Sequence, residues 1–313
     1  MTARIILLGI LAGALGGLAG WLPGELVALI RPDAETIRYI SVALYFMLLS
    51  AAIGAALGFA SGLVEGSRPR ARRAALAGAL FGVVGGLIGS IPAELAFETL
   101  RSAGLGLVGR ALGWAVAGMF IGLAQGVRTR SLARVGRGLL GGFIGGYLGG
   151  GAFELISIAF GQGVLSRLAA DVILGAMLGG LIFAVEVWLS DAWLQVVNSG
   201  SQEGSRFDLG KSRLTIGSGE RDDVLITAAG VAPAHAAIER RNKGYWLQTG
   251  QGQVLVDGRP AAHNQRLGHE NRLQLGSVLL LFQERRPVCP HCGRENLEMA
   301  GFCKHCGSPL QVR

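Results

Sequence analysis

The sequence predicts three parts: an α-helical membrane bundle of six spans, an all-β sandwich, and a small cysteine-held tail. Three observations carry this. One glycine-rich apolar hairpin pattern occurs three times before about residue 190. Short alternating runs with Gly and Asp turns then replace it. All four cysteines fall in the last 25 residues, as two Cys-x-x-Cys pairs.

The repeat is read from its polar and small residues. Gly16-Gly17-x-x-Gly20 followed by Pro23 and Glu25 returns as Gly85-Gly86-x-x-Gly89 with Pro92 and Glu94. It returns more loosely as Gly145-Gly146-x-x-Gly149 with Glu154. Each copy is followed by a second apolar run. These runs carry Gly58-x-x-x-Gly62 then Glu65, Gly118-x-x-x-Gly122 then Gln125, and Gly179-x-x-x-Phe183 then Glu186. Repeated apolar hairpins of this kind predict six helices, with spans near 5–22, 40–63, 74–91, 111–127, 138–157 and 169–188. Each is close to the ~20 residues that cross ~30 Å of hydrocarbon. Glycines at spacing four let helix backbones approach, so these faces are expected at helix–helix contacts, though they would also suit a narrow pore.

Charge sets the expected orientation. Arg68, Arg70, Arg72 and Arg73 follow the second span, and Arg128, Arg130, Arg134 and Arg137 follow the fourth. Arginine-rich connections stay in the cytoplasm, so both termini are expected there, in a cell membrane of prokaryotic inner-membrane type. This placement also accounts for much of the net charge of +8 without nucleic acid, and no aromatic–basic face supports a nucleic-acid partner. A cleaved signal peptide over the first span is the rival reading, and would leave an odd number of spans. Trp21, Trp114, Trp188 and Trp193 are expected as interfacial anchors, and Arg110 as a snorkelling residue. Glu25, Glu94 and Glu154 form one set of equivalent polar positions; Glu65, Gln125 and Glu186 form a second. They read either as two polar rings for a cation or proton, or as carboxylates at helix ends, with Pro23 and Pro92 marking helix starts.

From Trp193 to Gln283 the runs Leu194–Val197, Arg213–Ile216, Tyr245–Gln248, Gln253–Val256 and Val278–Phe282 read as strands of a sandwich over 191–285. The polar stretch Asn198–Ser205 reads as a hairpin loop or part of a linker. The segment Leu214-Thr-Ile-Gly-Ser-Gly-Glu-Arg-Asp-Asp-Val-Leu-Ile, continuing to Ala234-His235-Ala-Ala-Ile238, resembles the signature of forkhead-associated (FHA) domains. Trp246, Val256-Asp-Gly258, Leu267, Leu275-Gly276 and Phe282 resemble the second half. The resemblance implies an eleven-stranded sandwich whose loops read phosphothreonine peptides. It also implies that the phosphate-binding Arg is replaced by Ser218, the phosphate-contacting Ser by Ala232, and the peptide-contacting Asn by Gly252. His235 keeps the loop-holding position, and Arg221 is a nearby candidate for the missing charge.

In the tail, Cys289-x-x-Cys292-Gly293 and Cys303-x-x-Cys306-Gly307 are two similar knuckles. Four thiolates on such turns predict one closed tetrahedral zinc site over 286–313, in a reducing compartment. The pattern resembles short zinc ribbons; a rubredoxin-type iron site is the alternative, and His291 and His305 are alternative ligands. The domains are therefore expected at 1–190 (repeats about 5–73, 74–137 and 138–190), 191–285 and 286–313. No nucleophile–base set or phosphate-cradling loop is visible, so no enzyme is expected. The expected function is a membrane-anchored scaffold or signalling adaptor for a cytoplasmic protein partner. The alternative is a small channel or transporter with regulatory cytoplasmic modules. Oligomeric state and closure of the hairpins into a ring stay open.

Overall fold

The computed structural model describes residues 2–28, 35–64, 68–129, 131–161, 163–198, 202–241, 244–285, 289, 291–296 and 302–309. The chain divides into two compact units, Met1–Leu189 and Ser190–Arg313.

The first unit is six helices: α1 (Thr2–Ala28), α2 (Glu35–Val64), α3 (Arg68–Ser102), α4 (Gly106–Thr129), α5 (Leu132–Phe160) and α6 (Val164–Trp188). All six are long and apolar enough to cross a membrane. Two expectations about their ends need correction. Pro23 lies inside α1 rather than at a helix start, and α3 likewise runs through position 92. Spanning helices tolerate proline where neighbouring helices support the freed backbone groups. The arginines at 68–73 and at 134 and 137 lie in the first turns of α3 and α5 rather than in connections. Ser131 caps α5, its Oγ accepting from the Arg134 backbone N–H at 3.3 Å.

Each helix packs on the next, and α1 packs on α6, so the three hairpins close into a ring. The glycine doublets explain how. Each odd-numbered helix is wedged between two even ones, and the doublet presents one bare position to each. A Cβ on Gly16 would stand 2.6 Å from the Ile53 backbone of α2; one on Gly17 would stand 2.2 Å from the Asp171 carbonyl of α6. Gly85 meets Phe120 of α4 while Gly86 meets the Phe46 carbonyl of α2. Gly145 meets Leu178 of α6 while Gly146 meets the Trp114 carbonyl of α4. Contacts between hairpins continue as glycine pairs, among them Gly9 with Gly179, Gly54 with Gly78, and Gly122 with Gly138. Backbones this close are held by van der Waals packing, since lipid tails supply no hydrophobic drive between helices.

These pairs also correct the register of the even helices. Because Gly9, Gly78 and Gly138 are equivalent in the repeat, so are their partners Gly179, Gly54 and Gly122. Gly58 lies instead against Ala74, and Gly118 against Gly142, each about one turn away from that level. Gln125 therefore comes about a turn sooner after its packing glycine than Glu186 does, and the second polar ring is not level. Glu65 lies outside the described residues, and the side chain of Gln125 outside the described side chains.

The shared core of the ring comes mainly from α2, α4 and α6: Phe46, Leu49, Ile53, Trp114, Ile121, Leu174, Leu178 and Ile182. Trp114 is therefore not an interfacial anchor; it is 1% exposed and stacks on Phe46 with ring centroids 4.1 Å apart. The odd helices turn their leucines outward, as along Leu7, Leu11, Leu15, Leu18, Leu22 and Leu26 of α1. Trp188 stays exposed at the end of α6.

The second unit holds eleven strands among the described residues, in two sheets. They are β1 (Ala192–Val196), β2 (Arg206–Asp208), β3 (Arg213–Gly217), β4 (Val224–Leu225), β5 (Ala236–Arg241), β6 (Gly244–Thr249), β7 (Val254–Val256), β8 (Arg259–Pro260), β9 (Gln265–Leu267), β10 (Arg272–Leu275) and β11 (Val278–Glu284). One sheet runs β2-β1-β11-β10-β7-β8 and the other β4-β3-β5-β6-β9, with only β3 and β4 parallel among the paired strands. Alternation places Leu194 and Val196, Leu214 and Ile216, and Val278, Leu280 and Phe282 in one core. The stretch after β1 is a hairpin connection to antiparallel β2, with residues 199–201 outside those described. Trp193 is a sandwich residue rather than a membrane anchor. Its indole N–H donates to Gln283 at 2.7 Å, and Arg206 lies over its ring.

Candidate functional site

The cysteine tail forms a four-thiol cluster. The Sγ atoms of Cys289, Cys292, Cys303 and Cys306 all lie within 4.8 Å of one another, with Cys289–Cys306 and Cys292–Cys303 at 3.5 Å. Zn–S bonds of ~2.3 Å in a tetrahedron separate sulfurs by ~3.8 Å, so the spacing fits one ion. The knuckles are built alike. Gly293 N–H donates to the Cys289 carbonyl at 2.9 Å, and Gly307 N–H to that of Cys303 at 2.8 Å. Both glycines are left-handed, with φ of 70° and 73°, which is why each Cys-x-x-Cys is followed by Gly. Asn296, 1% exposed, ties the knuckles together: its Oδ1 accepts from Lys304 N–H at 3.0 Å and its Nδ2 donates to the Arg294 carbonyl at 2.9 Å. Pattern alone does not single out this residue, since a lone Asn among turn residues is ordinary.

Electrostatics in the cluster also call for a cation. Burial works against ionisation of Cys303, but N–H donors from His305 and Cys306 and the side chain of Asn296 bring it down to about 6. At Cys292 a backbone donor at Arg294 favours the thiolate, yet burial and the neighbouring cysteines push the thiol up to about 12. Four thiolates this close cannot all form without a metal to neutralise them. His291 and His305 are exposed and outside the cluster, and His305 Nδ1 instead meets Arg294 at 3.1 Å.

The second candidate is the loop end of the sandwich around Ser218, Ala232, His235 and Gly252. Ser218 N–H donates to the Ala232 carbonyl at 3.1 Å, which ties the β3–β4 loop to the loop before β5. Asp222 reinforces the tie: its Oδ2 accepts from Gly219 N–H at 2.9 Å and from Ala234 N–H at 3.0 Å. His235 is 2% exposed; its Nδ1 accepts from Ala232 N–H at 3.0 Å and its Nε2 meets the Gln253 carbonyl at 3.0 Å. The His235 ring fills the space beside Gly252, where a Cβ would come within 2.0–2.3 Å of three ring atoms. An Asn cannot stand at 252 while the ring keeps this place. Arg221 is exposed on the β3–β4 turn. Asp222 was missed because the sequence pattern did not separate it from its neighbour Asp223.

Among the described residues, three polar positions of the membrane unit are engaged in ion pairs. Arg167 of α6 grips Glu25 of α1 with both arms of its guanidinium, one at 2.9 Å. Arg110 of α4 pairs with Glu154 of α5 at 3.4 Å, so it faces a carboxylate rather than snorkelling free. Arg134 of α5 pairs with Glu186 of α6 at 3.5 Å. Glu94 is buried at the matching place in α3.

Comparison with known proteins agrees with this architecture. The family described as inner membrane component of T3SS, cytoplasmic domain (Yop-YscD), matches residues 196–286, and a zinc-ribbon domain family matches 288–310. Solved structures similar to the chain include the FHA domain of CT664 protein from Chlamydia trachomatis, 23% identical over 31% of this chain and 99% of that one, with a TM-score of 0.29. Another is the cytoplasmic domain of the T3SS sorting platform protein PscD from P. aeruginosa, 21% identical over 34% of this chain and 89% of that one, with a TM-score of 0.28. No curated protein matches the chain. The chain thus joins a bundle of six candidate spans to an FHA-type interaction module and a zinc-ribbon domain.

Proposed function

We propose that the protein is a membrane-anchored cytoplasmic scaffold or signalling adaptor. Its sandwich binds a protein partner without reading phosphate, and its ribbon is held by zinc on Cys289, Cys292, Cys303 and Cys306. The observation that carries this is the split between the sandwich residues that hold the loops and those that would read a ligand. Gly217, Asp222 and His235 clamp the loop end. Ala232 and Gly252 carry no side-chain donor, and Ser218 carries one neutral hydroxyl. Hydrogen bonds to a charged group contribute ~1.5–3 kcal/mol each, so losing two or three weakens phosphate binding by orders of magnitude. Arg221 sits on an exposed turn, where solvation competes with any ligand.

The test is a library of threonine peptides, phosphorylated and not, offered to the full chain in detergent. Equal, weak binding of both forms is expected; micromolar binding that depends on phosphate overturns the reading.

Anchoring is favoured over transport by the tightness of the bundle. Glycine backbones meet across the contacts between hairpins, and Glu25, Glu154 and Glu186 are taken up by arginines. With arginines gathered at the starts of α3 and α5, the ends of the bundle bearing the termini face the cytoplasm. A single cysteine at Ser131 should resist a membrane-impermeant thiol reagent applied to intact cells; labelling there would reverse the orientation.

A further inference from the structure

We infer that Asp171 is a proton-binding site inside the membrane unit, taking up its proton from the end of the bundle where Glu25 pairs with Arg167. The packing of the ring singles this residue out. Gly17, Gly86 and Gly146 are equivalent in the repeat, and they lie against Asp171, Phe46 and Trp114. Two of these three positions hold the aromatic pair stacked at the centre of the unit. The third holds a carboxyl group that is 0% exposed. Tyr45, the neighbour of Phe46, turns its phenol to this carboxyl and donates to Oδ1 at 2.6 Å. The other oxygen, Oδ2, is buried and has no hydrogen-bond partner among the described residues.

The charges near Asp171 come as opposite pairs. The groups around it are Glu25 on α1, Tyr45 on α2, Arg110 on α4 with its partner Glu154 on α5, and Arg167 on its own helix. Arg167 is committed to both oxygens of Glu25, and Arg110 to Glu154. These two arginines contact those carboxylates, so an ionised Asp171 would be a buried charge with no ion pair of its own among the described residues, which desolvation disfavours. A proton on Oδ2 removes that charge and leaves Oδ1 free to accept from Tyr45. A metal cation fits less well. It takes roughly six or more oxygens, and Gly17, packed on the Asp171 backbone, has no side chain to give one. Asp171 lies one turn inside Arg167, whose side chain is 23% exposed, which places the carboxyl near that end of the bundle.

The experiment uses the full chain in lipid nanodiscs. Infrared spectra at neutral pH should contain a protonated-carboxyl C=O band that is lost in Asp171→Asn and shifted in Tyr45→Phe, which removes the donor to Oδ1. An unchanged band in Asp171→Asn would overturn the inference, as would stabilisation by sodium or potassium without a protonated-carboxyl band. If Asp171→Asn does not fold, Tyr45→Phe decides alone: an unshifted band contradicts the site.

Discussion

Single residues decide the chemistry of the tail and of the sandwich loops, and they do so by different means. In the tail the clustering of the four cysteines was legible, because Cys-x-x-Cys-Gly written twice has few other uses. The knuckle geometry follows from Gly293 and Gly307, whose positive φ values a side chain would strain. What the sequence hid was Asn296, which makes one unit of two turns by hydrogen bonds to both. In the sandwich the fold itself was legible from the resemblance, but the reason Gly252 stays small was not. It is the ring of His235, seventeen positions earlier and hydrogen-bonded to the Gln253 carbonyl, that fills the space. The residue-scale prediction concerns metal. Structural zinc contributes an apparent ~10–16 kcal/mol to folding of such small units. The wild-type chain should carry one zinc per molecule, and Cys303→Ser or a strong chelator should release it and expose 289–309 to protease. Metal analysis that finds iron, or a ribbon that resists protease after chelation, would contradict the assignment.

At the scale of elements, the existence of six helices was legible from length and apolar content, and their contacts were half legible. The doublets Gly16-Gly17, Gly85-Gly86 and Gly145-Gly146 announced close packing. That each doublet serves two neighbouring helices follows only from the ring, where one odd helix touches an even helix on either side. The register of the even helices was misread by about a turn because several glycines at spacing four are interchangeable in sequence. Only the partner across the interface selects among them. Trp114 and Trp193 were misassigned for a related reason: nearness to a span end does not say which way a side chain points. The packing makes a paired prediction. A Cβ at Gly146 would stand 2.1 Å from the Trp114 carbonyl, whereas Gly136 in the first turns of α5 has nothing within 4 Å. Gly146→Ala should therefore destabilise the bundle by about 1–3 kcal/mol. Gly136→Ala should be neutral or stabilising by up to ~1 kcal/mol, from helix propensity. Thermal unfolding of the two variants in detergent checks this, and equal midpoints would mean that Gly146 does not face a close backbone.

At the scale of the whole molecule, the chain reads as a tight helical anchor carrying two small binding modules. Among the described residues of the membrane unit, Glu25, Glu154 and Glu186 pair with arginines while Asp171 is buried against Tyr45, and the sandwich keeps the clamps of its loop end with Ala232 and Gly252 beside them. The order of parts was legible because each has its own period or spacing: apolar runs of spanning length, short alternating strands, and paired cysteines. The most direct test of the central claim is affinity capture with the full chain from cell extract, divided into phosphatase-treated and untreated halves. The proposed phosphate-independent recognition requires the same protein partner to be retained from both halves, and in equal amount. A partner captured only from the untreated half would contradict the account, and Arg221 would then be the first residue to replace.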